Sequence, residues 1–389
     1  MQDLEKACPE GKFIPEGGSS LNSPDEGLVD IVDLPAGWKG KVTKVLGIGA
    51  VELRGAVPIP VEERTCTSFL NIGTLWFCMN ANMLPITFGI LGPSYGLGLR
   101  DSSLVIIFFT LLTALLPAYM STLGPKIGMR QMIQARFSYG KWAVSIPILL
   151  NMATLTGFCI IMAVIGGQCL SAVSGGTLSS AVGIVIVTIL SLVISFSGFK
   201  VLHLYEKWAS APSVIALIIA CGCGGKHLDE QSVPTDPATA AQILSFAMIW
   251  LLKIPRSVFS IVITALVMPI SIKASSDFFA NLENFIALIG YWSSAFVGVF
   301  IVEHFWFRKA DCSTYSHEAW DNSEMLPPGI AAIAASVVCF GLVIPTMEQV
   351  WWVGPIAETT GDLGFEVAFL LAGLLYVPFR TLEKRIGGR

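Results

Sequence analysis

The chain has 389 residues, of which 53% are hydrophobic and 13% are charged. Soluble domains carry about 25% charged residues, so this chain has too few charged side chains to cover a water-facing surface. Its net charge of −4 excludes the basic field on which nucleic-acid binding depends, and no nucleic-acid partner is expected. The composition predicts an all-α polytopic membrane protein whose surroundings are the lipid bilayer.

The first half of the chain contains long uncharged runs after a mixed-charge tail at residues 1–65. A helix crosses the bilayer with about 20 apolar residues, so the 58-residue run at 142–199 must contain two helices. Ser174-Gly-Gly-Thr177 is the predicted turn between them, because paired glycines favour turns. The five predicted spans in this half lie within residues 65–99, 102–125, 142–173, 178–199 and 208–225.

The second half is less regular. An uncharged run of only 13 residues at 240–252 is followed by Lys253 and Arg256, and it is too short for a full crossing. Further spans are predicted at 257–272, 284–302, 329–347 and 365–379. Counted with the short run at 240–252 as the sixth, these segments make about ten predicted crossings.

Charge asymmetry predicts the orientation of these spans. With the N-terminal tail in the cytoplasm, and leaving that tail out, 14 basic residues fall in cytoplasmic segments and three (Arg100, Lys226 and Lys273) in outer loops. Cytoplasmic loops are enriched in Lys and Arg. We therefore expect a multi-pass protein of the plasma membrane with both termini in the cytoplasm.

The first span is rich in features that interrupt a helix. Asn80, Asn82 and Thr87 surround Pro85, which removes a backbone donor and disturbs the preceding turn. Broken helices near mid-membrane form the substrate and ion sites of many secondary transporters. The alternative is a proline-kinked helix whose amides bond to neighbouring helices.

Two later spans add candidate side chains. Phe158 and Met162 lie four residues apart in the third span and share one helix face, although such a pair is also typical of ordinary core packing. Gly166-Gly167 in the same span permits close approach of another helix. Asn284 stands at the start of a later span, next to Glu283, and intramembrane polar residues often have functional roles.

No enzyme motif is present. The chain contains no P-loop, no His-Glu-x-x-His zinc motif and no Gly-x-Ser-x-Gly nucleophile motif. The closest cysteine pair, Cys221 and Cys223, lacks zinc-type spacing. We expect a protein that is not an enzyme and that needs no metal or organic cofactor.

Several motifs resemble the purine-cytosine permease branch of the nucleobase:cation symporters, of the fungal type. The most specific is Gly-Pro-x-x-Gly-x-Arg followed by Ala-Arg-Phe within residues 124–140. The others lie at residues 76–93, 164–168, 254–256 and 282–308. The likeness extends from about residue 30 to the C-terminus.

The resemblance implies a leucine-transporter-like five-plus-five inverted repeat followed by two more helices. It also implies symport of nucleobases such as cytosine and purines, with the proton as coupling cation. The expected units are the tail at 1–65, a first repeat at 66–225, a truncated second repeat at 226–302 and two C-terminal spans with a cytoplasmic tail at 303–389. The expected substrate bed comprises Asn80, Asn82, Thr87, Phe158, Met162 and Asn284.

The chain departs from the family pattern in two places. Phe158 and Met162 stand where the family has a Trp and an amide, so the thioether of Met162 offers only a weak acceptor. After Phe246 the sequence passes directly to Ile254-Pro-Arg256, so spans six to eight are largely missing, an internal deletion with a net loss of two crossings. The deletion is expected to impair transport. The alternatives are a carrier of another heterocycle (pyridoxine or allantoin), a non-transporting receptor-like or vestigial paralogue and, third, a membrane-bound enzyme.

Overall fold

The computed structural model describes residues 57–61, 64, 77, 84–196, 199–225, 239–250 and 278–387. The predicted tail up to residue 56 and the predicted span at 257–272 lie outside these residues. Most of the first predicted span does so as well, including Asn80 and Asn82.

Within the described residues, four helices are long and apolar enough to cross a membrane. They are α3 (Leu99–Ile127), α6 (Ser145–Val173), α10 (Phe278–Val302, continued by a π-helical turn at Glu303–Phe307) and α14 (Gly364–Gly387). Several spans of this kind are typical of a multi-pass membrane protein.

The other helices are shorter or interrupted. Apolar segments shorter than a full span occur in α1 (Leu84–Gly89) with α2 (Leu91–Ser94), in α7 (Ser180–Phe196), in the second half of α8 (Phe199–Gly224), and in α11 (Ile330–Val338) with α12 (Phe340–Thr346). The predicted stub is α9 (Ala240–Trp250). Its 11 residues up to Trp250, after which residues 251–277 lie outside the described residues, rise about 16 Å.

The connecting segments contain small elements. These are α4 (Gln131–Gln134), α5 (Arg136–Tyr139), a 3₁₀ turn (Cys312–Thr314), the antiparallel strands β1 (Glu348–Gln349) and β2 (Trp352–Val353), and α13 (Ala357–Thr360). In β1 and β2, Glu348 pairs with Val353 and Gln349 with Trp352.

The largest core lies between α10 and α14. Gly298 permits this packing, because a Cβ atom there would collide with the carbonyl oxygen of Phe369. Gly373 faces Gly298 from α14, and Tyr376 is fully buried one turn further along. Small residues at helix crossings let backbones approach closely in membrane proteins, so these glycines hold the two long spans together.

The predicted turn between the third and fourth spans is confirmed. Helix α6 ends at Val173 and α7 begins at Ser180. Gly175 and Gly176 between them have positive φ angles of 63° and 83°, a conformation that glycine adopts without strain. Below the turn, Gly183 of α7 meets the backbone of Gly167, so the close packing predicted for Gly166-Gly167 is also confirmed.

The segments between helices meet in two groups at opposite ends of the long spans. At one end, Arg136 donates to Asp321 over 2.9 Å. At the other end, the Asp362 backbone N–H donates to Ser245 over 3.0 Å. The sequence predicts that the first end is cytoplasmic and the second faces outward, and these positions are called the inner and outer ends below.

Candidate functional site

Phe158 of the predicted bed packs against α10. Its ring meets the Phe285 ring edge-on, with centroids 5.5 Å apart and planes 83° apart. Such T-shaped pairs contribute about 0.5–1.5 kcal/mol beyond the area they bury. The structure therefore brings the third predicted span to the helix that carries Asn284, through an aromatic contact.

Gly157 makes room for this contact. A Cβ atom at Gly157 would fall inside the Phe285 ring, so any larger residue there would displace that ring. Phe285 was not among the predicted site residues. Its signal in the sequence was weak, because one more apolar residue in a span has the same pattern as a lipid-facing or core residue.

Thr87 and Asn284 have partners of their own. The Thr87 hydroxyl donates to the Leu84 carbonyl over 2.7 Å, one turn back in α1. The Asn284 side-chain oxygen accepts from the backbone N–H of Val350 over 3.1 Å. Thr87 thus bonds within its helix, and Asn284 points its oxygen toward the hairpin at the outer end.

Met162 follows Phe158 by one turn of α6 and is half-buried. The remaining predicted bed residues, Asn80 and Asn82, lie outside the described residues. The assembly of the complete bed therefore stays a prediction.

An apolar cluster surrounds the Phe158–Phe285 pair. Its buried members come from four parts of the fold and are Leu91, Leu97, Val105, Ile161, Ile165, Phe246, Ala247, Leu282, Ile286 and Ile289. Phe246 belongs to the stub α9, is fully buried and lies 6.1 Å from the Tyr95 ring, centroid to centroid. The stub is therefore an integral part of this core, despite being too short to span.

Three carboxylates converge at the outer end, and we call Glu283, Glu348 and Asp362 the carboxylate cluster. Tyr95 donates to Glu283 over 2.5 Å, and Ser245 donates to Glu348 over 2.8 Å. These bonds connect the segment after α2 and the stub α9 to α10 and the β1–β2 hairpin. The cluster thus ties together elements that are distant in sequence.

Asp362 is the most deeply placed member of the carboxylate cluster. Its side chain accepts from the Tyr291 hydroxyl over 2.5 Å and from the Gly364 backbone N–H over 2.9 Å. Burial raises the pKa of Asp362 to about 6, although the hydrogen bond from Tyr291 opposes this shift. Burial penalises the charged form of a carboxyl group, so Asp362 titrates well above the usual range.

A small cavity lies among these groups. Its lining comprises Tyr95, Ser245, Glu283, Ile286, Ala287, Glu348 and Asp362, and it has room for about one water molecule. Within the described parts of the chain, no three His, Cys, Asp or Glu side chains are arranged to hold a metal ion.

A second polar network lies at the inner end of α10. Glu303 is buried and accepts from Arg308 over 3.0 Å and from Tyr376 over 2.9 Å, with Arg380 at 3.6 Å. The π-helical turn at Glu303–Phe307 carries these groups. A buried carboxylate is tolerated when it is paired in this way. Glu303 and Arg308, which belong to the family-like segment at 282–308, therefore have a structural role.

The Gly-Pro-x-x-Gly motif also has a structural explanation. Gly128 ends α3 with a φ of 75°, and Arg64 donates to the carbonyls of Pro125, Lys126 and Ile127 at 2.9–3.1 Å. A Cβ atom at Gly128 would collide with the Ile59 carbonyl. The motif therefore binds Ile59 and Arg64 at the inner end of α3.

Comparison with known proteins supports the resemblance. A family model described as "Permease for cytosine/purines, uracil, thiamine, allantoin" matches residues 58–222. The purine-cytosine permease fcyB of Emericella nidulans is 26% identical, covering 87% of this chain and 90% of that protein. The purine-cytosine permease FCY2 of Saccharomyces cerevisiae is 27% identical, covering 100% of this chain and 98% of that protein. The vitamin B6 transporter TPN1 of S. cerevisiae is 23% identical, covering 91% of this chain and 90% of that protein.

The alignment with FCY2 also supports a shortened chain. It extends over 526 positions although this chain has 389 residues, so at least 137 aligned positions have no residue here. The family match ends at residue 222, before the stub α9. The family match and these relatives confirm the similarity to purine-cytosine permeases that the motifs predict.

Proposed function

We propose that this relative of the purine-cytosine permeases is a secondary-active symporter that carries nucleobases such as cytosine and purines, with the proton as coupling cation. The observation that carries the proposal is the similarity to purine-cytosine permeases over 87–100% of the chain. The four long apolar helices support a small-molecule carrier embedded in a lipid bilayer. Neither an enzymatic activity nor a nucleic-acid partner forms part of the proposal.

The substrate bed combines an aromatic wall with side-chain amides. Phe158, held edge-on by Phe285, offers an apolar face to a flat heterocycle. Asn80 and Asn82, with Thr87, supply donors and acceptors that a base can pair with. Met162 and Asn284 complete the bed, and Met162 makes it less polar than the family pattern.

Transport by this chain is expected to be slow. The proposed architecture is a whole first repeat at 66–225 and a second repeat at 226–302 that lacks most of spans six to eight. Alternating access in such folds moves one repeat against the other, and the uncharged run of 13 residues at 240–252 is too short to act as a spanning partner. Each unpaired polar group on a buried base costs roughly 1–3 kcal/mol, so two lost partners weaken binding by about 2–6 kcal/mol.

The proposed location is the plasma membrane, with the N-terminal tail at 1–65 and the C-terminal tail in the cytoplasm. The basic residues at the inner end support this orientation.

Uptake measurements in yeast without its own nucleobase permeases test the proposal. Cells expressing the chain should take up radiolabelled cytosine, adenine or hypoxanthine saturably, more slowly than cells expressing FCY2. Phe158→Ala should lower uptake about tenfold, because it removes the aromatic wall, which is worth about 1 kcal/mol or more. Phe108→Ala is the matched control, since Phe108 on α3 is 61% exposed. Equal uptake by the two variants at equal surface amounts would refute the role of Phe158.

The similarity to the vitamin B6 transporter TPN1 supports pyridoxine as a second candidate substrate. Met162 favours it as well, because loss of an amide at that position removes a partner for a base. A competition assay decides between the two substrates. Uptake of radiolabelled cytosine is measured with increasing unlabelled pyridoxine or unlabelled cytosine. Inhibition by pyridoxine at a lower concentration than by cytosine would favour the vitamin. Expression at the surface without uptake of any of these compounds would indicate a non-transporting paralogue.

A further inference from the structure

We propose that the carboxylate cluster at the outer end binds an exchangeable proton and, if the proposed symport is correct, is the first group to receive the coupling proton. The ligand is a proton held by Asp362 and shared with the groups around the small cavity. Of the predicted substrate bed, Phe158 and Met162 lie on α6 and Thr87 lies on α1, whereas Asn284 follows Glu283 of the cluster on α10.

The network around the carboxylate cluster contains a buried acceptor atom that receives no hydrogen bond. The three carboxylates receive hydroxyl donors from Tyr95, Ser245 and Tyr291, and all three donors are neutral. Close by, Gln349 donates to the Tyr291 hydroxyl over 2.8 Å, yet its own side-chain oxygen is buried and has no partner. A buried acceptor without a donor costs roughly 1–3 kcal/mol, so an added proton in this network would supply a hydrogen that is missing.

The small cavity brings the three carboxylates together. Glu283, Glu348 and Asp362 all border one space that has room for about one water molecule. The negative charge of Glu348 favours the protonated form of Asp362. Because the described side chains form no metal-binding group, the arrangement suits a proton better than a metal cation.

The charged and titratable groups around Asp362 come from every element packed on it. Tyr95 follows α2, Glu283 and Tyr291 belong to α10, Glu348 belongs to β1, and Glu366 lies one turn along α14. All of them are acids or neutral donors. Burial, with a smaller contribution from the charge of Glu348, raises the pKa of Asp362 to about 6 against the opposing hydrogen bond from Tyr291, so its proton is exchanged between mildly acidic and neutral pH.

The cluster is also placed to respond to its proton. Asp362 connects to α9 through Ser245 and to α10 through Tyr291, while Glu283 connects α10 to the segment after α2. Protonating Asp362 converts one acceptor into a donor. The Asp362 side chain accepts from the Tyr291 hydroxyl of α10, so this hydrogen bond between α10 and the segment before α14 is the one that protonation changes.

Infrared difference spectroscopy of the purified full chain in lipid nanodiscs tests the proposal without any transport assay. A band of protonated carboxyl groups should grow as the pH falls through about 6, and Asp362→Asn should remove it. Glu358→Gln is the matched control, because Glu358 is an exposed carboxylate of the same outer segment. Tyr291→Phe should move the midpoint to higher pH, since the Tyr291 hydroxyl stabilises the charged form.

Three results would overturn the proposal. They are a band unchanged by Asp362→Asn, a midpoint unmoved by Tyr291→Phe, and a midpoint that sodium ions displace downward. The third would assign the cavity to a metal cation. If Asp362→Asn does not yield folded protein, Tyr291→Phe still decides the question. Failure of nucleobase uptake with the band intact would refute the proposed function and leave the proton site standing.

Discussion

Replacing Glu303 with alanine is expected to destabilise the protein by about 3–5 kcal/mol, because the change removes the buried carboxylate that pairs with Arg308. Arg380 keeps a second carboxylate partner, Glu383, at 2.8 Å. The side chains of Glu303 and Arg380 are 2% and 4% exposed, and they lie 3.6 Å apart. Arg308 and Tyr376 lose a hydrogen-bond acceptor as well. This free energy corresponds to at least about a hundredfold increase in the unfolding constant.

Thermal unfolding of the purified chain in detergent measures this effect. Asp321→Ala is the matched control, because Asp321 also pairs with two basic side chains but is 50% exposed. Exposed pairs contribute about 0–1 kcal/mol, so the control should unfold close to the wild-type temperature. Glu303→Gln should fall between the two, since its amide oxygen still accepts from Tyr376.

A Glu303→Ala protein that unfolds at the same temperature as Asp321→Ala would refute the reasoning. That result would mean that water compensates the charge of Arg308 and that Glu383 alone suffices for Arg380.

Two further predictions concern packing and topology. Gly298→Leu should prevent accumulation of folded protein in detergent-solubilised size-exclusion profiles, because its side chain would collide with the Phe369 carbonyl, whereas Gly341→Ala, where a Cβ atom meets nothing within 4 Å, should leave the profile unchanged. A cysteine at exposed Thr177 should react with a membrane-impermeant reagent in intact cells and one at exposed Asn322 only after permeabilisation; the reverse pattern would contradict the orientation.

Sequence periodicity and charge predicted the long spans because lipid imposes a simple rule on composition. The uncharged run at 102–125 became α3, and the Ser174–Thr177 turn falls where α6 ends. The ends of other helices were missed. Helix α8 begins at Phe199 and not near Trp208, and α14 continues to Gly387 beyond residue 379. In both cases charged residues that signalled a loop continue the helix past the apolar run.

The carboxylate cluster could not be predicted from the sequence. Tyr95 and Glu283 are 188 positions apart, and Ser245 and Asp362 are 117 apart, so no local spacing connects them. Glu283 was noted as polar, but its partner depends on how α10 packs against the segment after α2. The Phe158–Phe285 contact was missed for a similar reason, because it requires a glycine on one helix opposite a ring on another.

Uptake into proteoliposomes is the most direct test of the central claim. The purified chain is reconstituted into lipid vesicles with an alkaline interior, and accumulation of radiolabelled cytosine is measured with and without a protonophore. We predict slow, saturable accumulation of cytosine that requires the pH gradient. Asn80→Ala should abolish this accumulation. Folded, reconstituted chain that accumulates no nucleobase under the gradient, or that accumulates it equally well when Asn80 is replaced, would contradict the account.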